Sequence, residues 1–326
     1  MQRRHLLAGL AAMPWLGRAA WAQQATAGWV PDRPIRFVVG FAAGGSTDTT
    51  GRVVAQAITA GLGQSVVVEN RTGAGGNVAS EYVARSAPDG YTLVVGSMGT
   101  HAVNQSLYPS LPFHVQRDFA PVSLVALSSQ LLVVHPSVQA RTVAELIAQA
   151  KANPGKLNCG TGGSGTSQHL AASLFEHHAG VRFTQIAYRG GAPAVADLVS
   201  GRLDLIFAPV VEAIQQVRSG QLRALAVTRR ERLAQLPEVP SVSETVPDFA
   251  FNSWLGILAP AGTPPAAVSR ISREIALALR RPEIRERMEQ LGYEPVGSTP
   301  EEFASFQAAE VRRTAELVRL SGAKVE

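Results

Sequence analysis

Short apolar runs alternate along this chain with longer stretches in which apolar residues return at helical spacing. Ile35-Arg36-Phe37-Val38-Val39-Gly40 reads as a strand. Val53, Val54, Ala57, Ile58 and Leu62 mark one side of an amphipathic helix behind it. Ser65-Val66-Val67-Val68-Glu69 is a second strand, a helix through Val78, Tyr82 and Val83 follows, and Tyr91 to Gly96 form a third strand. A β-α-β-α-β run predicts a parallel sheet with right-handed crossovers. Residues 97–127 are less regular and rich in Ser, Pro and Asn. Leu131-Leu132-Val133-Val134 then opens a second β/α set, whose helix starts at Thr142 with Glu145 as a capping box and stops at Asn153-Pro154-Gly155. Strands near 157–159, 184–187, 203–207 and 223–228 alternate with helices near 166–178, 191–200 and 210–218. A strand from Trp254 to Leu258 and helices near 265–279, 282–291 and 300–320 complete the chain, with Pro300 at the first position of the last helix. The pattern predicts two α/β units, with the helical tail packed back on the first and a hinged cleft between them.

The N-terminus predicts export. Arg3-Arg4 precede a short apolar stretch from Leu6 to Leu16, and Ala20-Trp21-Ala22 is a small-x-small cleavage pattern that places the mature start near Gln23. The stretch is shorter than the roughly 20 residues a bilayer span needs. The paired arginines fit twin-arginine export as well as an ordinary secretory signal. Export changes the charge picture. Residues 1–22 hold Arg3, Arg4 and Arg18 and no acid, so the chain's net +5 falls to +2, with 27 basic residues left against 25 acidic ones. No basic stripe with interleaved aromatics is present, and nucleic-acid binding is not expected. The lone Cys159 has no partner for an intramolecular disulfide.

Candidate chemistry concentrates in two glycine loops. Phe41-Ala42-Ala43-Gly44-Gly45-Ser46-Thr47-Asp48 lies between the first strand and its helix, and Cys159-Gly160-Thr161-Gly162-Gly163-Ser164-Gly165-Thr166-Ser167-Gln168-His169 repeats the design. The order strand, glycine loop, helix start sets free N–H groups and a positive helix end at a sheet's carboxyl edge, which suits an anion. Asp48 falls in the first helical turn, where a carboxylate adds about 0.3–1 kcal/mol, and reads as an organiser of its loop. Thr166 and Ser167 read as capping hydroxyls and anion donors. Gly160, Gly162 and Gly165 match a G-x-G-x-x-G string, yet no acid stands near Gln185 to Tyr188 to bind a ribose. Ser164 nearly forms a nucleophile elbow, with Thr166 in place of the closing glycine and His169 close in sequence. An exported serine hydrolase built on Ser164 and His169 is the alternative reading. His169, His177 and His178 lack a carboxylate or thiolate partner, so no metal and no cofactor is expected.

The chain resembles the Bug/TctC proteins, the extracytoplasmic solute receptors of tripartite tricarboxylate transporters. The resemblance is carried by Pro34 to Asp48, Val67 to Gly76, Pro88-Asp89-Gly90-Tyr91-Thr92-Leu93, Ala152-Asn153-Pro154-Gly155-Lys156, Tyr188-Arg189-Gly190, Leu222 to Thr228, Leu236 to Pro240 and Ala259 to Pro264. It implies a two-domain, periplasmic-binding-protein-like (type II) clamp of class α/β. It places one domain at 23–128 with 236–326 and the other at 129–235, after a signal peptide at 1–22. The carboxylate grip then falls on Phe41, Ala42, Gly44, Gly45 and Asp48 in one domain and on Gly165, Thr166, Ser167 and His169 in the other, with Ser97 and Tyr188 as pocket walls. Family members often carry an acid after the Phe of Leu205-Ile206-Phe207, where this chain has Ala208. A pocket without that acid is expected to prefer carboxylates lacking an amino group, since a buried unpaired ammonium is costly. The implied protein is a periplasmic, monomeric, non-enzymatic receptor. It binds a small carboxylate and serves membrane permease subunits of the transporter or a sensor kinase.

Overall fold

The computed structural model describes residues 28–325. The export segment and the Ala20-Trp21-Ala22 site lie outside the described residues. Strand β1 (Ile35–Val39) leads into α1 (Ser46–Leu62), then β2 (Val66–Asn70), α2 (Asn77–Ala84) and β3 (Thr92–Ser97). β1 pairs in parallel with both β2 and β3, as the alternating pattern predicts. Residues 97–127 hold more structure than their pattern suggests. A π-helical turn covers Gly99–Val103, a short helix α3 covers Asn104–Leu107, and β4 (Phe119–Ser128) is ten residues long. Most of β4 is buried on both faces and its pairing slips twice, so it leaves no clean alternation to read.

The chain then builds a second sheet. β5 (Gln130–Val134), α4 (Val143–Ala152), β6 (Asn158–Thr161), α5 (Ser167–Ala179), β7 (Thr184–Ala187), α6 (Gly191–Val199), β8 (Leu205–Pro209), α7 (Val210–Arg218) and β9 (Arg223–Val227) follow in order. The return brings β10 (Ser253–Pro260), α8 (Pro265–Arg280), α9 (Pro282–Gln290), β11 (Tyr293–Pro295) and α10 (Pro300–Ser321). The first sheet has the order β11-β4-β10-β3-β1-β2 and the second β7-β6-β8-β5-β9. This is an α/β fold of two sheets. β10 runs antiparallel between β3 and β4, so the returning chain is stitched into the centre of the first sheet.

Side-chain alternation sorts the core. In β1, Ile35, Phe37 and Val39 face α1 and α8, while Val38 joins the cluster on the other face. In the second sheet, Leu131, Val133, Ile206 and Ala208 pack toward α6 and α7, and Leu132, Val134 and Phe207 join the cluster with α5. Helix α10 packs on β4 and on α5, so it touches both units. Its anchor is polar as well as apolar. Trp254 stacks edge-on against Phe303 and Phe306, and its indole N–H donates to Glu310 Oε2 at 3.0 Å, while Arg313 pairs with the same carboxylate. Trp254→Phe keeps most of the ring and removes that donor. It should lower unfolding stability by about 1–3 kcal/mol, read from urea denaturation. An unchanged midpoint would mean that Arg313 alone satisfies Glu310.

Candidate ligand-binding cleft

The two glycine loops solve one geometric problem in the same way. In the first, Gly44 takes a positive φ of 81° and donates its N–H to Asp48 Oδ2 at 2.9 Å. In the second, Gly165 takes φ 82° and donates its N–H to His169 Nδ1 at 3.0 Å. Each bond reaches from a left-handed glycine to a side chain four residues on, in the first turn of the helix. It bends the loop back so that the helix start faces the cleft. The carboxylate of Asp48 also takes two bonds from Arg52 and one from Asn70, whose amide in turn donates to Phe41 O. Burial alone would raise the Asp48 pKa, but Arg52, the Gly44 N–H and Asn70 together hold it below the ordinary value. Asp48 is thus committed to its own loop.

His169 plays the same part with a neutral ring. Its Nδ1 accepts a backbone N–H, which places the proton on Nε2, and burial pushes its pKa down to about 4. Thr166 caps α5 by accepting the His169 N–H, and its own hydroxyl donates to Gly163 O at 2.8 Å. Ser164 directs its carbonyl to the Tyr108 hydroxyl at 3.2 Å. A histidine that resists protonation to about pH 4 and spends Nδ1 on the backbone is a weak general base for Ser164 at neutral pH. Cys159 is buried, and burial pushes its thiol pKa up. Among the described residues no group of three or more His, Cys, Asp or Glu is arranged to hold a metal.

Both helix starts line one cavity between the sheets, which encloses about 40 Å³ of open space. Of the residues expected from sequence, Phe41, Gly45, Ser97, Thr166 and Ser167 line it. Ala42, Gly44, Asp48, Gly165 and His169 do not; Ala42, Gly44 and Gly165 lie in the loops, and Asp48 and His169 in the first turns of α1 and α5. The Ala42 N–H reaches across to Arg189 O at 3.1 Å. Tyr188 is half-buried and gives its hydroxyl to Asp197 at 2.8 Å, away from the cavity. Ala208 has no exposure and packs into the core beside Leu131 and Val133. Strand alternation turns it toward α6 and α7 with Ile206, so the cleft's charge is not set at that position.

Other residues complete the cavity. Ser46, Thr47 and Gln168 belong to the helix starts already singled out, while Ser128, Ser253 and Leu255 come from β4 and β10. Gly191, Pro209 and Glu212 come from the starts of α6 and α7. Glu212 could have been found by applying the strand-to-helix reading to β8 and α7, since it is an acid in the first turn after a strand's carboxyl end. Its Oε1 accepts the Ser46 N–H at 2.7 Å and its Oε2 accepts the Gln168 amide at 2.9 Å. Desolvation pushes its pKa up to about 7, against the lowering effect of those two donors. The N–H groups of Thr47 and Asp48 on α1, and of Ser167 and Gln168 on α5, have no protein acceptor among the described residues. The lining offers hydroxyls and backbone donors, and neither Lys nor Arg is part of it. A larger groove of about 820 Å³ lies at the opposite ends of β1 and β3, beside Arg33, Arg36 and Tyr82, and meets neither loop.

Closure brings backbone against backbone. A Cβ at Gly99 would meet Gly165 O at 2.6 Å, and one at Gly75 would meet Ser164 O. Only hydrogen fits at these crossings.

The chain and its fold are similar to known proteins. The sequence profile of the tripartite tricarboxylate transporter family receptor matches residues 50–322. Protein BugT of Bordetella pertussis is 38% identical over 314 residues, covering 96% of each chain. Among solved structures, Rpa4515 of R. palustris with adipate has a TM-score of 0.88 at 33% identity, covering 91% of this chain and 99% of that one. MatC from Rhodopseudomonas palustris with bound malate has a TM-score of 0.85 at 32% identity, covering 88% of this chain and 99% of that one.

Two outcomes are expected from this geometry. Gly99→Ala should fold normally yet oppose closure, because the new methyl meets a carbonyl held in the facing loop. Overpacking of about 1–3 kcal/mol would shift the closed-to-open ratio by roughly 5- to 150-fold, seen as a larger radius of gyration in small-angle scattering. An unchanged radius would place closure elsewhere. The second outcome concerns His169. The unfolded chain protonates it at its ordinary 6.5 and the folded chain only at about 4. The unfolded state therefore binds more protons in that window, and stability falls as pH drops through it. His169→Gln should lose less stability than the native chain between these two pH values, by denaturant titration at each.

Proposed function

The chain belongs to the tripartite tricarboxylate transporter receptor family, and we propose that it closes two domains over a small organic carboxylate outside the cytoplasm. One observation carries this reading. Two helix starts with open N–H groups line a single hydroxyl-rich cavity between two sheets. A carboxylate seated there would take charge-assisted bonds worth roughly 1.5–3 kcal/mol each. The positive ends of α1 and α5 supply the attraction that a lysine or arginine would otherwise provide. The adipate and malate of the two structural relatives support the same class of ligand.

The grip on the α1 side consists of Phe41, Gly45, Ser46 and Thr47, and on the α5 side of Thr166, Ser167 and Gln168, with Ser97 as a wall. Gly44 with Asp48 and Gly165 with His169 set the loops, and Ala42 joins the two domains. The domains comprise residues 23–128 with 236–326 and residues 129–235, and the chain passes between them near 125–131 and 228–240, which act as the hinge. The mature receptor starts after Ala22, works as a monomer in the periplasm, and hands its ligand to membrane permease subunits or reports it to a sensor kinase. It performs no catalysis.

A thermal-shift screen of mono-, di- and tricarboxylates tests this. A true ligand at 100 times its Kd should add about 2.7 kcal/mol of stability. The reading is overturned if no carboxylate raises the melting temperature. The exported hydrolase replaces it if an ester substrate is turned over and Ser164→Ala abolishes that turnover.

A further inference from the structure

Glu212 is a charged residue in the cavity lining, and it is shared between the two halves of the clamp. It stands in the first turn of α7, in the unit of the second sheet. Its Oε1 takes the N–H of Ser46, the first residue of α1 in the other unit, and its Oε2 takes the side chain of Gln168 beside the start of α5. A carboxylate of the protein therefore already occupies one donor of the helix start that faces an incoming carboxylate. On its other side Glu212 borders an open groove of about 450 Å³ with Gly44, Ala192 and Gln215, which gives its proton a route to solvent.

Among the described residues, the neighbours provide no countercharge. On α1, Asp48 and Arg52 are paired with each other. On α5, His169 is neutral. On α6, Asp197 is engaged by Arg202 and Tyr188, and on α7 itself Arg218 lies in the last turn. On β11, the Tyr293 hydroxyl donates to Ser46 O, and burial raises its own pKa. A ligand carboxylate at the α1 start would stand beside Glu212 with no cation between them. Two carboxylates in one enclosure do not both ionise cheaply, and one proton comes to be shared.

We propose that Glu212 is the proton-carrying specificity residue of the cleft: the domains close over a carboxylate with one proton taken up between ligand and Glu212. The proposal rests on the receptor reading above. It selects ligands that can face a protonated acid, such as diacids and hydroxy acids, over amino acids. Already without ligand, burial between the two units raises the Glu212 pKa to about 7. The sign follows from that direction. An opening that returns Glu212 to water would relieve that desolvation and loosen the proton, so closure is favoured at low pH and loses ground as pH rises through about 7.

Calorimetry on the native chain and E212Q, with succinate, malate and adipate each compared with aspartate, supplies the test. Above the Glu212 titration, native affinity for the acids should fall by about tenfold per pH unit, as expected for one proton taken up. Binding heats in buffers of different ionisation enthalpy should report that proton. E212Q should bind the acids with little pH dependence and no proton uptake. Equal native affinity at about pH 6 and about pH 8.5, or tighter binding of aspartate at high pH, overturns the proposal while leaving the receptor reading intact. If no acid binds at either pH, the carboxylate reading fails. Small-angle scattering of the ligand-free proteins then decides the role of Glu212. Opening with rising pH in the native chain but not in E212Q supports it, and no change overturns it.

Discussion

A glycine N–H held by a side chain four residues further on is the bond on which this cleft depends. Gly44 gives its N–H to Asp48 and Gly165 gives its N–H to His169, with nearly the same positive φ. Without that bond each loop could relax over its helix start and satisfy the free N–H groups from within. With it, α1 and α5 present unpaired donors and the positive ends of their dipoles to the same space. The two loops use different chemistry for one task. Asp48 is an ionised acceptor steadied by Arg52 and Asn70, and His169 is a neutral acceptor kept so by burial.

Closure uses backbone contact in place of side-chain packing. Gly99 lies against Gly165 and Gly75 against Ser164, so the facing loops approach to a distance no methyl allows. Ala42 to Arg189, Ser46 to Glu212 and Tyr108 to Ser164 are hydrogen bonds across the same gap. Contacts of this kind are polar and directional, and open without exposing a large apolar face. The apolar work is done elsewhere, where α10 and Trp254 brace the first sheet and reach α5. A clamp that must open needs this division of labour.

Among the described residues, the cleft lining holds no Lys or Arg, and the positive ends of two helix dipoles face it. Its hydroxyls and N–H groups supply direction, and the lining's charged side chain is an acid. Glu212 is half-buried between the units, and desolvation makes its charge costly and moves its titration toward neutral pH. The charge of the site therefore depends on how far burial desolvates Glu212.

Much of this was legible in the order of residues. Period-two and period-3.6 patterns placed most strands and helices, because each element is apolar on the side it buries. The glycine loops were visible as local strings between a strand and a helix, and so were Gly45, Thr166 and Ser167 as lining candidates. β4 was not legible, since a strand buried on both faces and twice bulged has no alternation. β11 was too short to leave a pattern. Ser128 and Ser253 come together only because β4 and β10 pair antiparallel with those two residues in register. Ala208 was placed in the pocket by position along the chain, and pleating turned it into the core. Glu212 gained its place only when α7 of one unit met α1 of the other. The sequence by itself determined local conformation and the two glycine-loop helix starts, because these arise from neighbours along the chain. Only the tertiary structure decided which charge shares the cleft, because that depends on a contact between units whose residues stand 166 apart.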